Sequence, residues 1–146
     1  MTGGDRTWVR GLKGLAASIV ALLAIYWVAD ASFDIPDEFA PLRGFVPTIF
    51  FTTIGALGAT GVFGIVRKRA AQPERLFRMI AGGVLLVSFV PDVLLLGDGA
   101  GDAFPGATPA GVGTLMLMHV VAAAIMVGFL TAGDPGEEPP SSVGLD

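Results

Sequence analysis

Five side chains carry most of the chemistry open to this sequence: Tyr26, Thr52, Ser88, Asp92 and His119. Each stands within or at the end of a long apolar stretch, where a polar group is costly and its position therefore informative. Ser88 and Asp92 are four residues apart, so a helix puts them on one face. His119 is the only histidine. With a reference pKa near ~6.5 it suits a proton-sensitive group, and it equally suits a buried donor that fixes one helix against another. Pro91 has no N–H, so the Val87 carbonyl loses its helical donor and the helix should kink there. A carbonyl freed at membrane depth takes a water or a side chain as partner, and His119 is a suitable donor. The expectation is an outward-facing polar pocket of Ser88, Asp92, His119, Tyr26 and Thr52. In it, His119 turns inward beside Ser88 and the kink at Pro91.

Rival chemistries lack their parts. Ser88, His119 and Asp92 have the residue types of a hydrolytic triad, but Ser88 is not on a glycine-rich nucleophile turn. A lone imidazole makes no zinc site without other strong ligands, and the chain has no cysteine. A haem held by two histidines would require a dimer. The acidic turn Gly97-Asp98-Gly99-Ala100-Gly101-Asp102 lacks the Asp-x-Asp core and closing Glu of a calcium loop, and reads as a solvated turn. Met116, Met118 and Met126 lie on different helix faces and read as core filler. No metal, no cofactor and no enzymatic activity is expected.

The elements that must position these residues are membrane helices. Of 146 residues, 53% are hydrophobic and 15% charged, whereas charge in a soluble domain runs nearer ~25%. Mean hydropathy is +0.71. A net charge of −4 also argues against a nucleic-acid binder, which needs a basic patch. A bilayer core of ~30 Å takes about 20 apolar residues in a helix. Four such spans are expected, at about 12–29, 45–66, 76–96 and 110–132. Trp8, Tyr26 and Trp27 serve the first as interfacial aromatics. The ten-residue alternation of an outer-membrane barrel is missing. The fold class is therefore all-α, an up-down-up-down four-helix membrane bundle over residues 1–132. Residues 133–146, rich in Pro, Gly, Ser and Glu, read as a disordered acidic tail.

Orientation follows from the cations. Of the nine basic residues, only Arg43 falls on the side opposite Arg6, Arg10, Lys13, Arg67, Lys68, Arg69, Arg75 and Arg78. The positive-inside rule makes the crowded side cytoplasmic, and with it both termini. Ala29-Asp30-Ala31 after a positive start offers a rival reading as a signal-peptide cleavage site. The apolar run is too long for that, and aromatics anchor its far end. The cluster from Arg67 to Arg78 could also meet anionic headgroups, although topology is a sufficient reason for it.

Gly55, Gly58, Gly61 and Gly64 recur at every third position of the second span, with Ala56, Ala59 and Thr60 between them. Small residues let membrane helices approach closely. This helix should be central, with close contacts at its glycines, either within the chain or at a homo-oligomer seam. Gly82-Gly83 and Ala122-Ala123-Ala124 look like matching close contacts on the third and fourth spans.

Three segments, Arg75-Leu-Phe-Arg78, Ser88-Phe-Val-Pro91-Asp92 and Leu115-Met-Leu-Met-His119-Val-Val-Ala122, lie in four spans of about 130 residues. Together they resemble an uncharacterised family of small prokaryotic membrane proteins found in actinobacteria and haloarchaea. That resemblance implies a four-helix integral membrane protein and carries no activity with it. The resulting expectation is a multi-pass plasma-membrane protein whose partner is the lipid bilayer. It would be structural or an accessory subunit of a larger membrane complex. The alternative is a small homo-oligomeric transporter or proton-linked carrier using the polar pocket.

Overall fold

The computed structural model describes residues 3–97 and 104–132, and it is helical throughout, with no strand among the described residues. Four helices are long and apolar enough to cross a membrane: α1 (Gly3–Ser32), α2 (Phe45–Arg69), α3 (Pro73–Leu94) and α4 (Pro109–Thr131). The acidic tail expected at 133–146 and the turn from Asp98 to Asp102 lie outside the described residues.

Local chemistry explains the boundaries. Pro73 and Pro109 open α3 and α4 at the first helical position, where a missing N–H costs nothing. Thr108 caps α4, its side chain accepting from the Gly111 amide at 3.1 Å. Gly44, at φ +78°, makes the left-handed entry to α2 that a side chain would resist. α1 begins well before the apolar stretch expected at 12–29, because its polar first turns are packed rather than solvated. Thr7 and Gly11 are buried there.

The helices form a ring in which α1 packs on α2 and α4, and α3 packs on the same two from the other side. α2 and α4 also touch across the middle. At the basic end, Ala56, Phe63, Phe77, Met126 and Leu130 form one core cluster. Within it the rings of Phe63 and Phe77 meet edge to face, 5.0 Å between centroids. At the acidic end, Leu22, Phe39, Leu42, Val112 and Met118 form another. Phe39 reaches it from the α1–α2 connection and is fully buried. Its ring lies so near Gly111 that a Cβ there would stand 3.1 Å from it.

The close approaches are not at the glycines of α2. A Cβ added to Gly55, Gly58, Gly61 or Gly64 would meet nothing within 4 Å, nor would one on Gly82 or Gly83. This corrects the close contacts expected of these glycines within the chain. On α2 the inward face is Ala56, Thr60, Phe63 and Val66, with Ala59 packed beside it, so the glycines fall on the open side. The tight contacts belong to α1. A Cβ on Gly11 would run into the Thr60 hydroxyl and stand 2.6 Å from its methyl, and one on Gly14 would stand 2.9 Å from the Met126 sulfur. Thr7, Gly11, Gly14, Ser18, Leu22 and Ala29 are all buried, a stripe at the 3.6-residue period of a packed helix face.

The remaining surface is apolar. Val20, Phe51, Leu86, Val87 and Leu94 are each about two-thirds exposed or more, at 67–70%. Exposed apolar surface on this scale belongs in a hydrocarbon solvent rather than water, and these faces contact lipid.

Candidate functional site

Five of the membrane-embedded hydroxyls satisfy themselves locally. In an apolar solvent a Ser or Thr side chain has few partners, and the carbonyl one turn back on its own helix is the nearest. Thr53 donates to Ile49 O at 2.7 Å, Thr60 to Ala56 O at 2.7 Å, Thr114 to Ala110 O at 2.8 Å and Thr131 to Val127 O at 2.8 Å. Ser88 donates to Leu85 O at 2.7 Å. The Ser88 hydroxyl is thus engaged on its own helix, and the contact expected between it and His119 does not form.

Asp92 and His119 do come together. Asp92 follows Pro91 in the last turns of α3, and the helix continues through the proline to Leu94. His119 sits near the middle of α4. Its Nδ1 lies 3.2 Å from Asp92 Oδ2, with the Asp92 side chain 7% exposed and that of His119 42% exposed. The imidazole is therefore at the edge of the bundle and the carboxylate inside it. Nδ1 is also 2.9 Å from the Leu115 carbonyl on the preceding turn. A carbonyl only accepts, so in that contact Nδ1 carries the hydrogen.

The two contacts compete. One N–H cannot point at both acceptors, and while it serves Leu115 O, Asp92 Oδ2 is buried without a hydrogen-bond donor. The carboxylate then has the imidazole's proximity but no hydrogen, a costly state for a buried oxygen. His119 does not reach for the Val87 carbonyl, the role expected of it at the Pro91 kink, because both its near partners lie elsewhere.

Of the other expected pocket residues, Tyr26 packs against the core cluster at the acidic end, and Thr52 is half-buried on α2. The pocket reduces to a pair across the α3–α4 seam. No group of three or more His, Asp or Glu residues able to hold a metal occurs among the described residues.

A family model described as a family of unknown function (DUF6069) matches residues 2–134. The chain belongs to this family. The DUF6069 match takes in all four helices and with them Asp92 and His119. No curated protein and no solved structure matches the chain.

Sequence reasoning missed two features at the basic end. Arg67 donates to Thr7 Oγ1 at 2.8 Å, tying the end of α2 to the start of α1. Arg78 donates to Thr131 Oγ1 at 3.2 Å, tying the start of α3 to the end of α4. The sequence assigns both arginines to topology or to anionic headgroups, not to a contact between helices. The threonines were the available signal, since each stands at a helix end level with a cation of the neighbouring helix.

Proposed function

We propose that the chain is a non-enzymatic plasma-membrane protein, with both termini cytoplasmic, that serves as a structural or accessory subunit of a larger membrane complex. The carrying observation is that Thr53, Thr60, Ser88, Thr114 and Thr131 are bonded to carbonyls of their own helices, which leaves Asp92 to His119 as the polar link across the α3–α4 seam away from the basic end. Such a link fastens two helices rather than lining a path. The concentration of cations at one end supports the orientation. Burial of Thr7, Gly11 and Gly14 of α1 against α2 and α4 supports retention of the first helix.

A second reading, a homo-oligomeric proton-linked carrier, draws on the same pair. A proton on either Asp92 or His119 changes the charge that the other faces at 3.2 Å. With a carboxylate and a neutral imidazole the pair carries one negative charge. One more proton neutralises it, either as carboxylate with imidazolium or as carboxylic acid with imidazole. In the second form Asp92 Oδ2–H donates to a bare Nδ1, and the Leu115 carbonyl loses its side-chain donor. An accessible imidazole beside a buried carboxylate is a means of passing that proton inward.

His119→Gln keeps hydrogen bonding and removes the titration. For a subunit, parent and H119Q both copurify a stoichiometric partner from native membranes, and their melting temperatures vary alike with pH. For a carrier, the parent is oligomeric in mild detergent. Its melting temperature then changes between about pH 5 and 8, the imidazole range, while that of H119Q does not. Recovery of the parent as a partnerless oligomer with that pH dependence overturns the subunit reading.

A further inference from the structure

We infer that the turn between α2 and α3 holds the headgroup phosphate of an anionic phospholipid, with an acyl chain laid along the open face of α3. The turn carries Arg67, Lys68, Arg69, Arg75 and Arg78. Among them is an open cleft of about 560 Å³ lined by Ala71, Gln72, Glu74, Arg75, Arg78 and Met79. Arg78 is held in place by its bond to Thr131, so one guanidinium in the cleft is fixed by the fold. Arg75 is exposed beside it. A planar guanidinium gives phosphate oxygens two donors in a fixed geometry, which suits it to this ligand.

The face below the cleft separates a lipid headgroup from a free anion. Arg75, Met79, Gly82, Gly83 and Leu86 lie within one side of α3 by helical spacing. Met79 and Leu86 are 59% and 69% exposed, and neither glycine has anything within 4 Å of where its Cβ would be. The glycine pair therefore forms a notch about 10–12 Å deeper than Arg75, at ~1.5 Å per residue. Charge at the interface and an open apolar face below it match one molecule with a phosphate head and a hydrocarbon chain. Glu74, in the lining of the cleft, accepts from a hydroxyl-bearing headgroup such as glycerol and repels a second phosphate.

The test is retention of lipid by the full chain purified in mild detergent, measured by mass spectrometry after exposure to phosphatidylglycerol or phosphatidylcholine. Inorganic phosphate and glycerol 3-phosphate serve as soluble competitors. The parent retains phosphatidylglycerol over phosphatidylcholine. Arg75→Gln lowers that retention at least tenfold, and Arg69→Gln by no more than about fivefold, the loss of one cation near an anionic surface. Gly82→Leu, which fills the notch and leaves the cleft untouched, lowers retention of phosphatidylglycerol without changing binding of glycerol 3-phosphate. Equal losses in R69Q and R75Q mean diffuse surface charge and overturn the site. Displacement by glycerol 3-phosphate at a concentration equal to that of the lipid, or indifference to G82L, replaces the lipid with a free phosphate and overturns the proposal.

Discussion

Where α1 meets its neighbours, its own contacting residues at the basic end are small, with Gly11 against Thr60 and Gly14 against Met126. Where α3 meets α4 near the acidic end, a carboxylate faces an imidazole at 3.2 Å. In a lipid solvent apolar surface gains nothing by leaving the solvent for another helix, so a seam needs either close packing or a polar link. The first kind is insensitive to pH and intolerant of volume. The second is tolerant of volume and depends on where one proton resides.

Volume tolerance should separate them most. Gly11→Val places a Cβ into the Thr60 side chain, and Thr60 cannot swing aside because it is β-branched and bonded to Ala56 O at 2.7 Å. Overpacking of this kind costs ~1–3 kcal/mol, and G11V should lie at the upper end. Gly58→Val enters open space and should change the melting temperature in detergent little. This reverses the ranking that the α2 glycine pattern alone predicts. A larger loss from G58V than from G11V would mean that another helix covers that face of α2 in detergent.

A smaller effect is expected at the polar seam. Asp92→Asn, His119→Gln and the double variant form a thermodynamic cycle for the pair. Polar contacts between membrane helices average about 0.6 kcal/mol, with a maximum near 1.7. A coupling at the upper end is expected, because Asp92 is 5% exposed and water does not compete. On the subunit reading neither this coupling nor the cost of G11V varies with pH, and a pH-dependent coupling favours the carrier. A coupling indistinguishable from zero at every pH would make the contact incidental to the α3–α4 seam.

The fold was legible because length and apolarity alone bring out four spans, and the membrane reduces the choice of structure to helices. The candidate site was legible only in part. Depth counted along the helices sets His119 level with Ser88 and leaves Asp92 nearer the surface, although the contact that forms is with Asp92. Azimuth cannot be counted without knowing which face a helix presents. Ser88 was therefore brought toward His119 when its hydroxyl is bonded to Leu85 O. The same blindness misplaced the contacts of α2 within the chain, where four glycines at period three drew attention from Ala56, Thr60 and Phe63. The stripe Thr7, Gly11, Gly14 and Ser18 on α1 keeps helical period but mixes residue types, so no single-residue repeat marks it.

Ser18 offers the finest test of the small-residue seam. It is fully buried on the α1 stripe, yet its hydroxyl has no hydrogen-bond partner, unlike the other intramembrane hydroxyls with carbonyl partners one turn back. An unsatisfied buried hydroxyl carries a desolvation penalty of ~1–3 kcal/mol. Removing it returns part of that and forfeits the contacts of one oxygen atom, while Ala is the better helix former. Ser18→Ala should therefore leave the melting temperature unchanged or raise it slightly, by an amount equivalent to less than about 1 kcal/mol. Ser18→Val, which adds volume where Gly14 and Ser18 bring α1 against its neighbours, should lower it. A clear loss of stability in S18A would show that the hydroxyl has a partner after all. It would then move this position from the packed seam to the polar class that Asp92 and His119 define.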